Sequence, residues 1–303
     1  MIVRPEQNWL RKLFSWHGSI MRKIALQMCF FIVLNIVYLF FLPLLHMHGI
    51  VAKESSVYFI GVSISISVFL GFRNNTAWLR YWEARKLWGD LLIASRSLIR
   101  EVINTTPAHE EDIKVVVELI ISWCLTLKSR LRHEAIPAIT DSVFLSRHSQ
   151  EYQHITTPCN ALLQDIGLWL YQNRPNEFVY RNINNYLNEF SRIQGGCERI
   201  SNTPIPFAYS LLLHRTVGVF CAIYPLLLIN NFGVLTLLFS VFTTYALLAL
   251  DAIATELEDP FGSEDNDLPL NAICNAIEID LREMVRDSRL PEKMMPDKYY
   301  RLL

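Results

Sequence analysis

Three spacings in this chain are the ones that could do chemistry. Ile64, Val68 and Phe72 recur every four residues inside an uncharged run, Val57 to Phe72, that ends at Arg73-Asn74-Asn75. On a helix they stack one above another on a single face. Ser63, Ser67 and Gly71 form a neighbouring row of small residues, the kind that lets helix backbones approach closely in lipid. Such a ridge is either ordinary packing or the wall of a passage in which apolar rings gate by dewetting. The second spacing is acidic: Asp259-Pro260-Phe261-Gly262-Ser263-Glu264-Asp265-Asn266-Asp267. Carboxylates on a tight turn suit a hard cation such as calcium. Asp259, Asp265 and Asp267 are the weak candidates, but the EF-hand spacing is not matched. A solvated turn, or a salt-bridged one paired to the basic N-terminal segment, is the favoured reading. The third is imidazole: His46-Met47-His48 could hold a metal, and His214-Arg215 interrupts an apolar stretch where an ionisable group is a functional hypothesis. Two histidines in an interfacial loop, and a span that starts only at Thr216, are the plainer readings. There is no G-x-S-x-G, H-E-x-x-H, P-loop or dinucleotide fingerprint. No catalysis, metal or cofactor is expected.

The elements that must position these residues are membrane helices. Of 303 residues, 51% are hydrophobic and 19% charged, with mean hydropathy +0.22. That is too apolar for an ordinary soluble protein and too charged for one lying wholly in lipid. A formal net charge of −1 gives no basic field to draw in nucleic acid. The six cysteines show no C-x-x-C pair and are expected to be reduced, buried and structural. Four spans are expected, at about 24–45, 55–72, 216–229 and 234–250, the last pair joined by a tight Asn230-Asn231-Phe232-Gly233 turn. The alternation Ser63-Ile64-Ser65-Ile66-Ser67-Val68 is a strand pattern, but a lone strand in lipid leaves its backbone unsatisfied, so it is read as helix. Arg4, Arg11, Lys12, Arg22 and Lys23 precede the first span, and six Lys or Arg follow the second, from Arg73 to Arg100. The positive-inside rule puts both termini and the long middle region in the cytoplasm.

Residues 76–205 and 251–303 are expected to form a cytoplasmic helical layer. Glu83 to Glu101 carries Leu87, Leu91, Ala94 and Leu98 at helical spacing. Thr106-Pro107 reads as a helix start with Pro at the first position. Helices are expected over Pro158 to Gln172 and Asn176 to Ile193, the latter ending at Gly195-Gly196, and over Asn271 to Met284. Pro137 to Glu151 is a loop or short helix, and Leu290 to Leu303 a loose tail. Trp78, Trp82 and Trp88 suit an interfacial belt, and Arg80 can pair with Glu83. The fold class is all-α: a four-span membrane layer continuous with a cytoplasmic helical layer, assembling around a central pore. Residues 1–303 are read as a single unit, because no Gly/Ser-rich linker separates the layers.

Several motifs then carry a resemblance. They are Leu70-Gly71-Phe72-Arg73-Asn74, Arg80-x-x-Glu83-x-Arg85-x-x-Trp88-Gly89, Pro204-Ile205-Pro206-Phe207-Ala208-Tyr209, Glu256-Leu257-Glu258-Asp259-Pro260-Phe261-Gly262 and Asn266-Asp267-Leu268-Pro269-Leu270. In order and over nearly the whole chain, they resemble the bacterial branch of the bestrophin family. The resemblance implies a homopentameric ion channel of the bacterial inner membrane, with one pore on the fivefold axis and membrane lipid around it. It puts a narrow neck at Ile64, Val68 and Phe72, with Val68 standing where animal members carry a larger Phe. It implies a second, cytoplasmic constriction, for which Phe178 is the candidate and Ile183 the reserve. The calcium-binding acids of animal members are only partly kept, so the turn is carried over and the metal is not. The family holds anion channels and bacterial members that favour cations, so chloride and sodium are both candidate ions. A membrane scaffold or sensor with a closed axis, and a secondary carrier with a midplane site, are the alternatives.

Overall fold

The computed structural model describes residues 1–3, 8, 18–41, 56–135 and 157–302, with the side chains of 56–59, 230 and 231 outside that description. Its helices are α1 (Met21–Phe40), α2 (Ser56–Thr105), α3 (Glu110–Leu131), α4 (Pro158–Gln172), α5 (Glu177–Asn202), α6 (Phe207–Phe232), α7 (Thr236–Glu258) and α8 (Leu270–Met284). No strand occurs among the described residues, so the fold class is all-α; one isolated antiparallel bridge joins Ile2 to Arg301. The chain divides into two compact units. One comprises Glu6–Tyr81 and Pro204–Glu258, the other Met1–Pro5, Trp82–Thr203 and Asp259–Leu303. The unbroken 50-residue α2 contributes to both.

In the first unit α1 turns Ile24, Met28, Phe31 and Asn35 inward, at the i, i+4, i+7, i+11 spacing of one helix face. They pack with Ile66 and Leu70 of α2, Val217, Phe220 and Cys221 of α6, and Leu247 to Ala249 of α7. The outward faces are apolar too, as at Leu26, Phe30, Phe40 and Phe242. A helix that is hydrophobic all round belongs in lipid. Met21–Phe40, Phe207–Ile229 and Gly233–Glu258 are each long and apolar enough to cross a membrane. Asn35 does not break α1: its amide donates to Phe31 O at 2.7 Å and its carbonyl accepts from Ser240 Oγ of α7 at 2.7 Å. Pro225 sits inside a continuous α6. The helix that carries the third expected span begins well before Thr216: Pro206 precedes its first turn, and α6 runs from Phe207 through His214-Arg215 without a breaker. The tight turn falls at Gly233, whose φ of +51 favours glycine, and not at Asn230. Residues 42–50 and 51–55, with Pro43, His46 and His48, lie outside the described residues, as does the loop expected at 137–151.

In the second unit α3 is deeply packed, with Trp123 stacked on Phe190 of α5 at 5.1 Å. Leu87, Leu91, Ala94 and Leu98 of α2 are buried as expected, and so is Trp88, which belongs to this core and not to an interfacial belt. Four departures have plain causes. The start at Thr106-Pro107 is displaced to Glu110: Thr106 N still bonds Val102 O of α2, while His109, in extended backbone, opens α3 ahead of Glu110, Glu111 and Asp112. Gly195-Gly196 does not end α5, which continues to Asn202. The tail is not loose, since Met1 N, Val3 N and Leu302 N bond Leu302 O, Tyr300 O and Met1 O at 2.7 to 2.9 Å. Of the six cysteines all are free, but Cys29 is exposed. Burial pushes the Cys159, Cys197 and Cys274 thiols up to about 12, which keeps them protonated and inert.

Gly196 shows why the glycine pair was misread. A Cβ there would stand 2.8 Å from Leu87 Cδ1, whereas one at Gly195 meets nothing within 4 Å. Gly195→Ala is expected to raise stability by about 0.5–1 kcal/mol through helix propensity. Gly196→Val is expected to lower it by about 1–3 kcal/mol by forcing α2 and α5 apart at Leu87. Thermal melting of the two variants side by side checks the opposite signs.

A second expectation concerns pH. Asp287 accepts from Arg289 Nη2 at 2.9 Å and Arg282 Nη1 at 2.8 Å, with Glu118 beside Arg289 at 2.8 Å. The Arg289 hydrogen bond first, then that of Arg282, holds the Asp287 carboxyl well below the usual carboxylate range. Because the folded value is depressed, this stabilisation is complete above the unfolded value of about 4 and is lost as pH falls through it toward the folded one. The melting midpoint should therefore drop more steeply below about pH 5 in the native protein than in Asp287→Asn. Equal slopes would show that the cluster contributes nothing.

Candidate functional site

Along the first unit's part of α2, Ile66, Leu70, Arg73 and Ala77 are buried. At 3.6 residues per turn they share one face, and Ile64, Val68 and Phe72 lie about half a turn away from it. Those three are 59%, 48% and 61% exposed. The ridge therefore plays no part in the chain's own core. The serines beside it are quieted by their own helix: Ser65 Oγ bonds Gly61 O and Ser67 Oγ bonds Ser63 O, both at 2.9 Å. A Cβ built at Gly71 meets nothing within 4 Å, so a second backbone could approach there.

One residue past the ridge, Arg73 is buried and heavily bonded. Its Nη1 pairs with Asp251 Oδ1 and reaches Asp251 O at 3.4 Å, and its Nη2 donates to Thr255 Oγ1 at 2.9 Å and faces Glu258 Oε2 at 3.7 Å. His214 Nδ1 lies 2.8 Å from Asp251 Oδ2. Asn74 Nδ2 donates to Leu250 O at 3.1 Å and Arg80 Nε to Glu258 O at 3.2 Å. Glu258 Oε1 accepts from Ile205 N at 2.9 Å, just before Pro206, and Tyr209 OH donates to Phe69 O at 3.3 Å. Arg73, Asn74, Arg80, Glu258 and the Pro206 corner thus form one clamp joining α2, α6 and α7. Sequence reading missed Asp251 and Thr255. The signal was an acid one residue past the apolar run Val234 to Leu250, where a charge must find a partner.

The remaining motif residues lie in the second unit. Glu83 pairs with Arg199 of α5, Arg85 stands over the Trp82 ring at 5.4 Å, and Trp88 is fully buried. In the Pro260-Phe261-Gly262 turn, Phe261 is buried and Leu268 N bonds Pro260 O at 3.0 Å. Asp267 Oδ2 accepts Glu264 N at 2.7 Å, and a Cβ on Gly262 would stand only 2.4 Å from it, so glycine makes room for that carboxylate. Arg132 donates to Phe261 O, Leu268 O and Asn271 Oδ1 at 3.2 to 3.4 Å, and Arg301 faces Asp265 at 3.5 Å. The turn is held by Arg132 through hydrogen bonds to its carbonyls and by the Arg301–Asp265 ion pair. Among the described residues no three or more His, Cys, Asp or Glu side chains gather as a metal site, Asp259 included. The two constriction candidates part company: Phe178, at the start of α5, is 75% exposed, while Ile183 is 2% exposed and faces its own core.

Over the whole length of both chains, the sequence is 44% identical to the voltage-dependent anion channel-forming protein YneE of Salmonella typhi. It is 36% identical to a voltage-dependent anion channel-forming protein of Ralstonia nicotianae, covering 97% of each chain. The crystal structure of a bacterial bestrophin homolog from Klebsiella pneumoniae superposes with a TM-score of 0.82 at 34% identity, covering 87% of this chain and 98% of that one. Residues 1–283 match the family model described as bacterial/fungal bestrophin protein. With its long apolar helices, this is a membrane protein, and the chain belongs to the bacterial and fungal bestrophin family.

Proposed function

We propose that five copies of this 35.2 kDa chain form an ion channel around one axis in the bacterial inner membrane. Each copy contributes Ile64, Val68 and Phe72 to three stacked apolar rings that make the neck. One subunit has one such ridge and cannot enclose a path, whereas rotational symmetry repeats it into rings. The observation that carries this reading is the ridge itself, apolar, exposed and directed away from the face α2 packs inward. Conduction is passive and of small monovalent ions. The printed names of the relatives support anions such as chloride; the neck, having no charge, sets no sign of its own, and sodium is the competing ion. Phe178 forms the cytoplasmic constriction. Residues 1–303 act as one bestrophin-like unit, with the spans at about 24–45, 55–72, 216–229 and 234–250 and the helical regions 76–205 and 251–303 cytoplasmic. The pairing of Met1 with Leu302 supports placing both termini on that one side.

Purified protein in planar bilayers should show single-channel steps, and its native mass should be that of five chains. The reversal potential under a sodium chloride gradient reads the ion sign. A well-folded oligomer that never conducts, even as the Val68→Ala/Phe72→Ala variant, would leave the closed scaffold as the better account.

A further inference from the structure

We infer that each subunit carries a binding site for a small α-amino acid with an aliphatic side chain. The site is a cavity of about 180 Å³ that lies wholly within the second unit. It is lined by Ile103 near the end of α2, Glu110 and Ile113 in the first turn of α3, and Met284, Val285 and Arg286 where α8 stops. Ile113 and Val285 are buried and make an apolar floor, whereas Glu110 and Arg286 are exposed and make a charged rim.

Two features of the rim point to a ligand that carries both signs. First, its opposite charges do not meet. The charges around them are engaged with one another: Lys114 pairs with Glu111 at 2.7 Å, and Arg289 with Asp287 and Glu118 at 2.9 and 2.8 Å. Glu110 reaches Lys114 only as a longer-range charge. Among the described residues the side chains of Glu110 and Arg286 make no ion pair and no hydrogen bond. Second, Arg286 stands in the left-handed region at φ +52, where its N–H closes the end of α8 on Glu283 O at 3.1 Å. Glycine takes such a place at no steric cost, so the turn itself gives no reason for an arginine. A lone anion in the cavity would face the Glu110 carboxylate, and a lone cation the Arg286 guanidinium. An α-amino acid sets its carboxylate against the guanidinium and its ammonium against Glu110, and lays its side chain on Ile113 and Val285. The cavity is smaller than those that take drug-sized molecules, which limits that side chain to the size of leucine's.

The test is isothermal titration calorimetry of the detergent-solubilised, full-chain oligomer. The probes are leucine, glycine, isopentylamine and isocaproate; the last two keep the leucine side chain with one charge each. Leucine should saturate at one per subunit. Each single-charge analogue should bind about fivefold more weakly, the worth of one exposed ion pair. Glycine should bind about tenfold more weakly, the worth of roughly two buried methylenes. Arg286→Gly suits the backbone and should melt no lower than the native protein, yet lose the preference for leucine over isopentylamine. Glu110→Gln should lose the preference for leucine over isocaproate. Melting midpoints and oligomer size of the variants control for folding, and if Glu110→Gln does not fold, Arg286→Gly alone decides. No saturable heat with leucine, equal binding of leucine and both analogues, or unchanged leucine binding in Arg286→Gly would overturn the site. Binding is read without current, so a silent bilayer record would sink the channel and leave this site standing, and a conducting protein indifferent to leucine would do the reverse.

Discussion

Phe72→Ala is expected to raise the unitary conductance about tenfold, equivalent to removing ~1.4 kcal/mol from the barrier at the narrowest ring. In the proposed neck, a ring of five phenyl groups would exclude water from a short stretch of the path, and an ion crossing it would shed hydration without any polar group in return. Alanine widens that stretch and lets water thread it. Val68→Ala should do less, since valine is already small, and Val68→Phe should lower conductance by restoring bulk. The effect is separable from damage to the fold. Phe72 is exposed on its own chain, so its truncation opens no cavity in the core and should change stability by no more than about 0.5 kcal/mol. Leu26→Ala, on the outward face of α1, is the control: it removes similar apolar area and should leave conductance alone. If Phe72→Ala and Leu26→Ala behave alike in single-channel records, Phe72 faces lipid and the neck lies elsewhere.

The ridge was legible in the sequence because helical periodicity is a local property: four-residue spacing within an uncharged run fixes which side chains share a face, whatever the rest of the chain does. The same holds for α4, whose Pro158 start and Gln172 end were both readable, and for Asn176, which caps α5 by accepting from Val179 N at 2.9 Å. What failed was non-local. Gly195-Gly196 looks like a stop until Leu87, more than a hundred positions away in sequence, is seen against Gly196. Trp88 looks like an interfacial anchor until the surrounding core buries it. Ile183 and Phe178 lie five residues apart on one helix, and only the fold tells which of them faces outward. In the acidic turn the hydrogen bonds from Arg132 to the carbonyls of Phe261 and Leu268 are a property of the packing that follows α3, which no spacing encodes. Asp251 escapes such a reading because the apolar run finishes one residue before it, at Leu250.

That missed residue is what fixes the ridge in direction. Phe72 and Arg73 are adjacent, so holding Arg73 against α7 fixes the rotation of α2 about its axis and with it the bearing of Ile64, Val68 and Phe72. Arg73→Met is therefore expected to be the most damaging single change in the first unit. Among the described residues it leaves the buried Asp251 carboxylate with His214 alone, and it strips Glu258 of its facing guanidinium. Breaking a buried pair by removing one partner destabilises by about 3–5 kcal/mol, because the remaining charge is uncompensated. For a chain of this size that corresponds to roughly 10 °C in melting midpoint, measured as loss of the oligomer peak on size exclusion after heating, since unfolding of such an assembly is read as a rate. The companion variant Arg73→Met/Asp251→Leu removes both charges and should recover most of the loss, as apolar replacement of a whole buried pair is close to neutral. Recovery of stability with conductance still altered would mean that the clamp serves direction and not cohesion: α2 packs again, but nothing pins its rotation. Recovery of both would assign the bearing of the ridge to packing at Ile66 and Leu70 alone, and an Arg73→Met protein that melts like the native one would show that the pair carries no weight at all.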